Sequence, residues 1–97
     1  MKTNAIINYA RVIVSPDGNN RVVVEVLLDD GWPKSFYTPD RATFPLADYI
    51  STLLETTGCF MVSRLPGHPI GIQLSETGAI TSFAPSAESE VWTLLSL

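Results

Sequence analysis

Ile6-Ile7-Asn8-Tyr9-Ala10-Arg11-Val12-Ile13-Val14 and Arg21-Val22-Val23-Val24-Glu25-Val26-Leu27-Leu28-Asp29 flank a cluster of turn formers, Ser15-Pro16-Asp17-Gly18-Asn19-Asn20. Two runs rich in β-branched residues around such a cluster predict an antiparallel hairpin. Successive side chains of a strand point to opposite faces. One face therefore carries Val12, Val14, Val22, Val24, Val26 and Leu28, and the other carries Ile7, Tyr9, Ile13, Val23 and Leu27. Pairing Val14 with Val22 aligns Val12 with Val24 and Ala10 with Val26. It also sets Arg11 opposite Glu25, a structural ion pair of no more than about 1 kcal/mol if exposed.

Both faces of this hairpin are apolar, and both need a cover. A chain of 97 residues forms one compact domain spanning its whole length, which buries about two thirds of its unfolded surface. That leaves little material for two complete covers. One face is thus expected to meet a second subunit or a ligand; the face with Ile7, Tyr9, Ile13, Val23 and Leu27 is the candidate oligomer face, with a dimer the favoured assembly. Composition agrees: hydrophobic residues make up 45% of the chain and charged residues 16%, against about 25% charged in a typical soluble domain.

Beyond the hairpin, Asp29-Asp30-Gly31 reads as a second turn and Lys34 to Thr38 as a short outer strand that Pro33 confines to an edge. Pro39, Asp40 and Arg41 form a loop into a helix from about Phe44 to Thr57, capped by Thr43, with Pro45 in its first turn. Leu46, Tyr49, Ile50, Leu53 and Leu54 recur at helical spacing over roughly a 140° arc, so one face of the helix is buried. Gly58 supplies the stop.

A meander follows: Cys59 to Leu65, a turn at Pro66-Gly67-His68-Pro69, Ile70 to Ser75, a turn at Glu76-Thr77-Gly78, and Ala79 to Ala84. Pairing Leu65 with Ile70 places Met61, Ser63, Ile72, Leu74, Ile80, Ser82 and Ala84 with them on one face. On the reverse face Phe83 lies opposite Gly71. For Ser86 to Leu97, periodicity allows helix or strand; the Ser86 cap and the first-turn acids Glu88 and Glu90 favour a short helix. The expected fold is α+β: a mainly antiparallel sheet of about five strands built from hairpin, helix and three-stranded meander, with one main amphipathic helix and a short C-terminal helix.

The residues carry no catalytic, metal or nucleotide signature, so no cofactor is assigned. Cys59 and His68 would make a nucleophilic pair. Six residues of strand would, however, hold the turn histidine about 20 Å from the cysteine, which reads as a small core residue. Asp29, Asp30, Asp40 and Asp48 match no cation-loop spacing, and the first two read as turn formers before Gly31. No glycine-rich stretch opens a helix as a phosphate cradle would.

Six Lys and Arg against ten Asp and Glu give a net charge of −4, the wrong sign for neutralising phosphates. A nucleic-acid role would require Arg11, Arg21, Lys34, Arg41 and Arg64 to converge. The lone Cys59 excludes an internal disulfide. Asn8 and Arg11 interrupt the only early apolar run, and no stretch approaches the ~20 apolar residues of a membrane span, so the expectation is a cytoplasmic protein.

Two functional expectations follow. The first is a protein that acts by association rather than catalysis, through the second sheet face or through the aromatic stretch Trp32, Phe36, Tyr37 and Phe44; it would pair with itself or bind a protein target. The second is a small-molecule binder or minor enzyme with an apolar pocket between sheet and helix, lined by Trp32, Phe36, Tyr37 and Met61 near Ser63 and Arg64. Core closure by the same aromatics, with Trp92 as a terminal anchor, is the structural account they must compete with.

Overall fold

A computed structural model describes residues 1–14, 20–37 and 46–95. Its elements in chain order are β1 (Lys2–Val14), β2 (Asn20–Leu27), β3 (Pro33–Tyr37), α1 (Leu46–Thr57), a 3-10 turn at Val62–Arg64, β4 (Pro69–Leu74), β5 (Ile80–Ala84) and β6 (Thr93–Leu94). The α+β class and the antiparallel sheet hold, with six strands in the order β3-β2-β1-β4-β5-β6. Residues 15–19 of the first turn cluster, the expected strand end Thr38, the loop residues Pro39, Asp40 and Arg41, the Thr43 cap, Phe44 and Pro45 lie outside the described residues.

The hairpin of β1 and β2 forms in a different register from the expected one. Val12 lies opposite Val22, Ala10 opposite Val24, and Arg11 opposite Val23 rather than Glu25. Between Ile7 and Tyr9 the ladder shifts, so that Asn8 is an extra residue and Ile7 faces Val26. Such a bulge inverts the alternation of everything before it. Ile7 therefore joins Val22, Val24 and Val26 in the core at 0% exposure, which corrects its expected place on the outer face. Asn8 Nδ2 donates to Glu25 Oε1 at 2.7 Å, and the Arg11 guanidinium lies over the Tyr9 ring, 5.6 Å from its centroid.

Two hairpin turns share one solution. At Asp29-Asp30-Gly31, Gly31 N–H donates to Leu28 O at 2.9 Å and Leu28 N–H to Trp32 O at 3.2 Å; at Glu76-Thr77-Gly78 the equivalent bonds join Gly78 to Ser75 at 2.9 Å and Ser75 to Ala79 at 2.8 Å. Gly31 at φ 82° and Gly78 at φ 84° take the left-handed position that a three-residue hairpin loop needs. Asp30 Oδ1 also accepts from Trp32 N–H, so the aspartates act as turn chemistry.

The meander is altered at its first member. Cys59 to Leu65 is no strand: Arg64 N–H returns to Met61 O and Leu65 N–H to Val62 O in the 3-10 turn. The place beside β4 goes to β1, whose Lys2 to Ile6 pair with Gln73 to Pro69. In the β4–β5 hairpin Thr81 is an extra residue, so Phe83 faces Ile72 and Ala84 faces Gly71. The C-terminal helix is also corrected: Thr93 and Leu94 extend the sheet beside β5, and Leu95 N–H donates to Thr81 O. The free edge of β5 offers backbone partners that outweigh the local cap.

The sheet curls around its core. In a flat sheet β3 and β5 would lie four strand spacings, roughly 19 Å, apart. Phe36 of β3 and Phe83 of β5 instead stack with centroids 5.8 Å apart and planes inclined by 18°. Ala5 and Ile7 of β1 belong to the same core cluster, and Ala10 packs against it. Across this concave face lies α1, with Tyr49 and Leu53 buried and Ile50 and Leu54 against the same cluster. The expected stop holds, with Cys59 N–H bonded to Leu54 O and Gly58 N–H to Glu55 O. Leu65 and Leu95 complete the core.

On the convex side the chain covers one half of the sheet with its own Ser86–Trp92 stretch. Ala87 N–H donates to Asn4 Oδ1 at 2.9 Å, the Trp92 ring lies 5.0 Å from Lys2 Nζ, and fully buried Ser82 donates to Gln73 Oε1. Gly71 sits beneath this crossing, where a Cβ would fall 2.8 Å from Ala87 N and closer still to the Ser86 carbonyl. The Ser86–Ala87 backbone, not Phe83, thus covers Gly71. Gly71→Ala is expected to destabilise the protein by about 1 to 3 kcal/mol through overpacking against backbone, read as a lower urea midpoint.

Candidate interaction surface

The other half of the convex face, over β1, β2 and β3, is built from lateral rows. Ile6 pairs with Leu27 and Pro69, and Leu27 with Pro33, giving an apolar row across four strands. The next rows are Tyr9, Glu25 and Ser35, then Arg11, Val23 and Tyr37. Ile6 is 45% exposed and Tyr37 52%, while Tyr9, Ile13 and Leu27 are half-buried and Val23 is buried within the face. Of the residues expected there, Tyr9, Ile13, Val23 and Leu27 share this side and Ile7 does not.

The aromatic stretch does not act as one patch. Trp32 is exposed beside its turn, and Tyr37 lies on the convex side, but Phe36 is spent on the Phe83 stack. Phe44 lies outside the described residues. Met61, Ser63 and Arg64 are exposed in and beside the 3-10 turn. A cleft of about 530 Å³ opens where β3 approaches the β4–β5 turn, lined among others by Lys34, Phe36, Tyr37, Thr77, Ile80 and Leu95. Only Phe36 and Tyr37 of the expected pocket reach it. Cys59 donates its thiol to Arg64 O at 3.6 Å, and His68 gives its backbone groups to Leu65 and Ile7. Among the described residues no three His, Cys, Asp or Glu side chains gather as metal ligands, and no helix is long and apolar enough to cross a membrane.

Val12 and Val14 are the residues whose exposure, though not whose side of the sheet, the alternation pattern left hidden. They lie on the core side of β1 yet are 51% and 72% exposed, whereas their neighbours Val22 and Val24 on β2 are fully buried. The cause is a mismatch in length. β1 has 13 residues and β4 has 6, and β4 pairs with β1 only as far as Ile6. The long apolar run Ala5 to Val14, set against the short run after Pro69, is the signal in the sequence that could have located this overhang.

Comparison with known proteins finds no matching family model and no matching curated relative. The overhang of β1, with the convex face beside it that keeps Ile6 and Tyr37 exposed, is the surface on which a function can be argued. Its valines contribute little to the single molecule. Val12→Thr and Val14→Thr are expected to cost under about 0.5 kcal/mol each in dilute protein, as surface changes do. Val24→Thr, which buries a hydroxyl in the core, is expected to cost about 1 to 3 kcal/mol; chemical denaturation at low protein concentration separates the two cases.

Proposed function

We propose that this protein works by association, as a homodimer that contacts its second copy through the β1–β2 overhang. The observation that carries this is the exposure of Val12 and Val14 on an overhanging strand, beside a convex face that keeps Ile6 and Tyr37 at the surface. Removing such apolar area from water contributes roughly 25 cal/mol per Å². Covering it asks for no ligand chemistry beyond shape and a few backbone bonds. A cytoplasmic setting fits the single free thiol of Cys59.

Light scattering coupled to size exclusion tests this directly. Over a dilution series from hundreds of micromolar downward, the mass is expected to fall from twice 10.6 kDa toward 10.6 kDa. A single-chain mass at every concentration would overturn the proposal.

The cleft between β3 and the β4–β5 turn favours a second reading, a small-molecule site. Lys34 supplies a cation at its rim, since a Cβ on Gly78 would meet Lys34 Nζ at 3.1 Å, and Tyr37 is among its lining residues. Phe36 is already engaged with Phe83 and the cleft is wide, so affinity would be low. For this reading, a panel of aromatic carboxylates is expected to raise the melting temperature of the wild type more than that of a Lys34→Ala variant. No shift with any of them would remove it.

A further inference from the structure

The association proposed above rests on the overhang as a whole; the backbone of β1 specifies how two overhangs fit. On the side of β1 away from β2, β4 bonds Lys2 to Ile6. At Ile7 the turn before β4 takes over, with Ile7 N–H donating to His68 O at 2.9 Å and Ile7 O accepting from Gly67 N–H at 2.7 Å. Beyond Ile7, among the described residues, no strand and no backbone bond reaches this edge.

Unpaired strand edges template further pairing, and proteins blunt them with prolines, lysines or brevity. The two outer edges of this sheet are blunted: β3 begins with Pro33-Lys34 and β6 is 2 residues long. The edge from Ala10 to Val14, Ala-Arg-Val-Ile-Val, has no proline and no lysine, and its one charge, Arg11, lies over the Tyr9 ring on the convex side.

The direction of its backbone groups follows from the ladder. Antiparallel partners alternate between pairs that exchange bonds and pairs that do not. Ile7 turns its groups away from β2, so Glu25, Val23 and Arg21 are the β2 residues that face β1. Opposite them, Arg11 and Ile13 spend their groups on β2, while Ala10, Val12 and Val14 turn theirs to the open edge.

We propose that two copies join by antiparallel pairing of Ala10–Val14 with the same segment of the second copy, about a two-fold axis through Val12, making one continuous sheet. In that register Val12 exchanges both of its bonds with its symmetry mate, and Ala10 exchanges both of its bonds with Val14 of the other copy. Side chains agree with the backbone. A two-fold perpendicular to the sheet keeps each face on its own side. It sets small Ala10 beside Val14 and Arg11 beside Ile13. Centring the axis on Arg11 would oppose two guanidinium groups, a destabilising like-charge pair, and centring it on Ile13 shortens the overlap to Val12–Val14. A second copy is therefore the occupant this edge matches. The shared strand is only about 17 Å long at roughly 3.4 Å per residue, so the dimer belongs with weak, small interfaces and forms at micromolar concentration.

The test uses the full chain in a Cys59→Ser background, with Val12→Cys, or Val91→Cys as a control far along the chain on the Ser86–Trp92 crossing, and a short bismaleimide cross-linker. Val12→Cys is expected to give a covalent dimer that vanishes on dilution below the dissociation constant, and Val91→Cys to give at least tenfold less. In parallel, Val12→Lys is expected to weaken dimerisation at least tenfold by light scattering while keeping the wild-type circular dichroism, and Val91→Lys to leave it unchanged. A dimer that survives Val12→Lys and does not cross-link through Val12→Cys would overturn the edge pairing and leave self-association standing. A wild-type protein that is monomeric at every concentration would overturn both.

Discussion

The bulge at Asn8 is the constraint on which this fold depends. β1 lies in the middle of the sheet and serves two partners in succession, β4 with its first half and β2 along most of its length. Both halves must present their small and aliphatic side chains to the same concave core. A regular strand reading Ile7-Asn8-Tyr9-Ala10 would put Ile7 and Ala10 on opposite sides. One additional residue restores agreement, placing Ile7 against Val26 and Ala10 against Val24, and its side chain is secured by Glu25. Bulges also increase local twist, which suits a sheet that must bring Phe36 and Phe83 together.

Local signals in the sequence were legible wherever a single element decided the outcome. The stripe Tyr49, Ile50, Leu53 and Leu54 is the buried side of α1, Gly58 ends it, Gly31 and Gly78 close their loops, and Pro33 marks an outer strand. Each depends on a residue's own backbone preference or on a short repeat. Features that depend on remote partners were not legible. Asn8 and Thr81 carry no mark as inserted residues, and missing them moved Ile7 and Phe83 to the wrong neighbours. Cys59 to Leu65 reads well as a strand until β1 claims the position beside β4. Ser86, Glu88 and Glu90 favour a helix, and the ladder along β5 outweighs them.

The same division holds for the interaction surface. Apolarity on both sides of the hairpin was visible, and Tyr9, Ile13, Val23 and Leu27 do share the convex side. The exposure of Val12 and Val14 was not, because it follows from where β4 stops rather than from anything in their own neighbourhood. Phe36 shows the opposite error: an aromatic in an irregular stretch looks available for binding, yet its ring closes the core from a distant strand. Only the curl of the sheet, which brings β3 to β5, reveals that.

The contact between Phe36 and Phe83 has a mechanical consequence. It spans the two flanks of the sheet without passing through the hydrogen-bonded ladder, so the hairpin of β2 and β3 cannot peel away without releasing a ring that β5 also leans on. Fluctuations of β3 and β5 are therefore expected to be yoked through this ring contact, although the three strands β2, β1 and β4 lie between them.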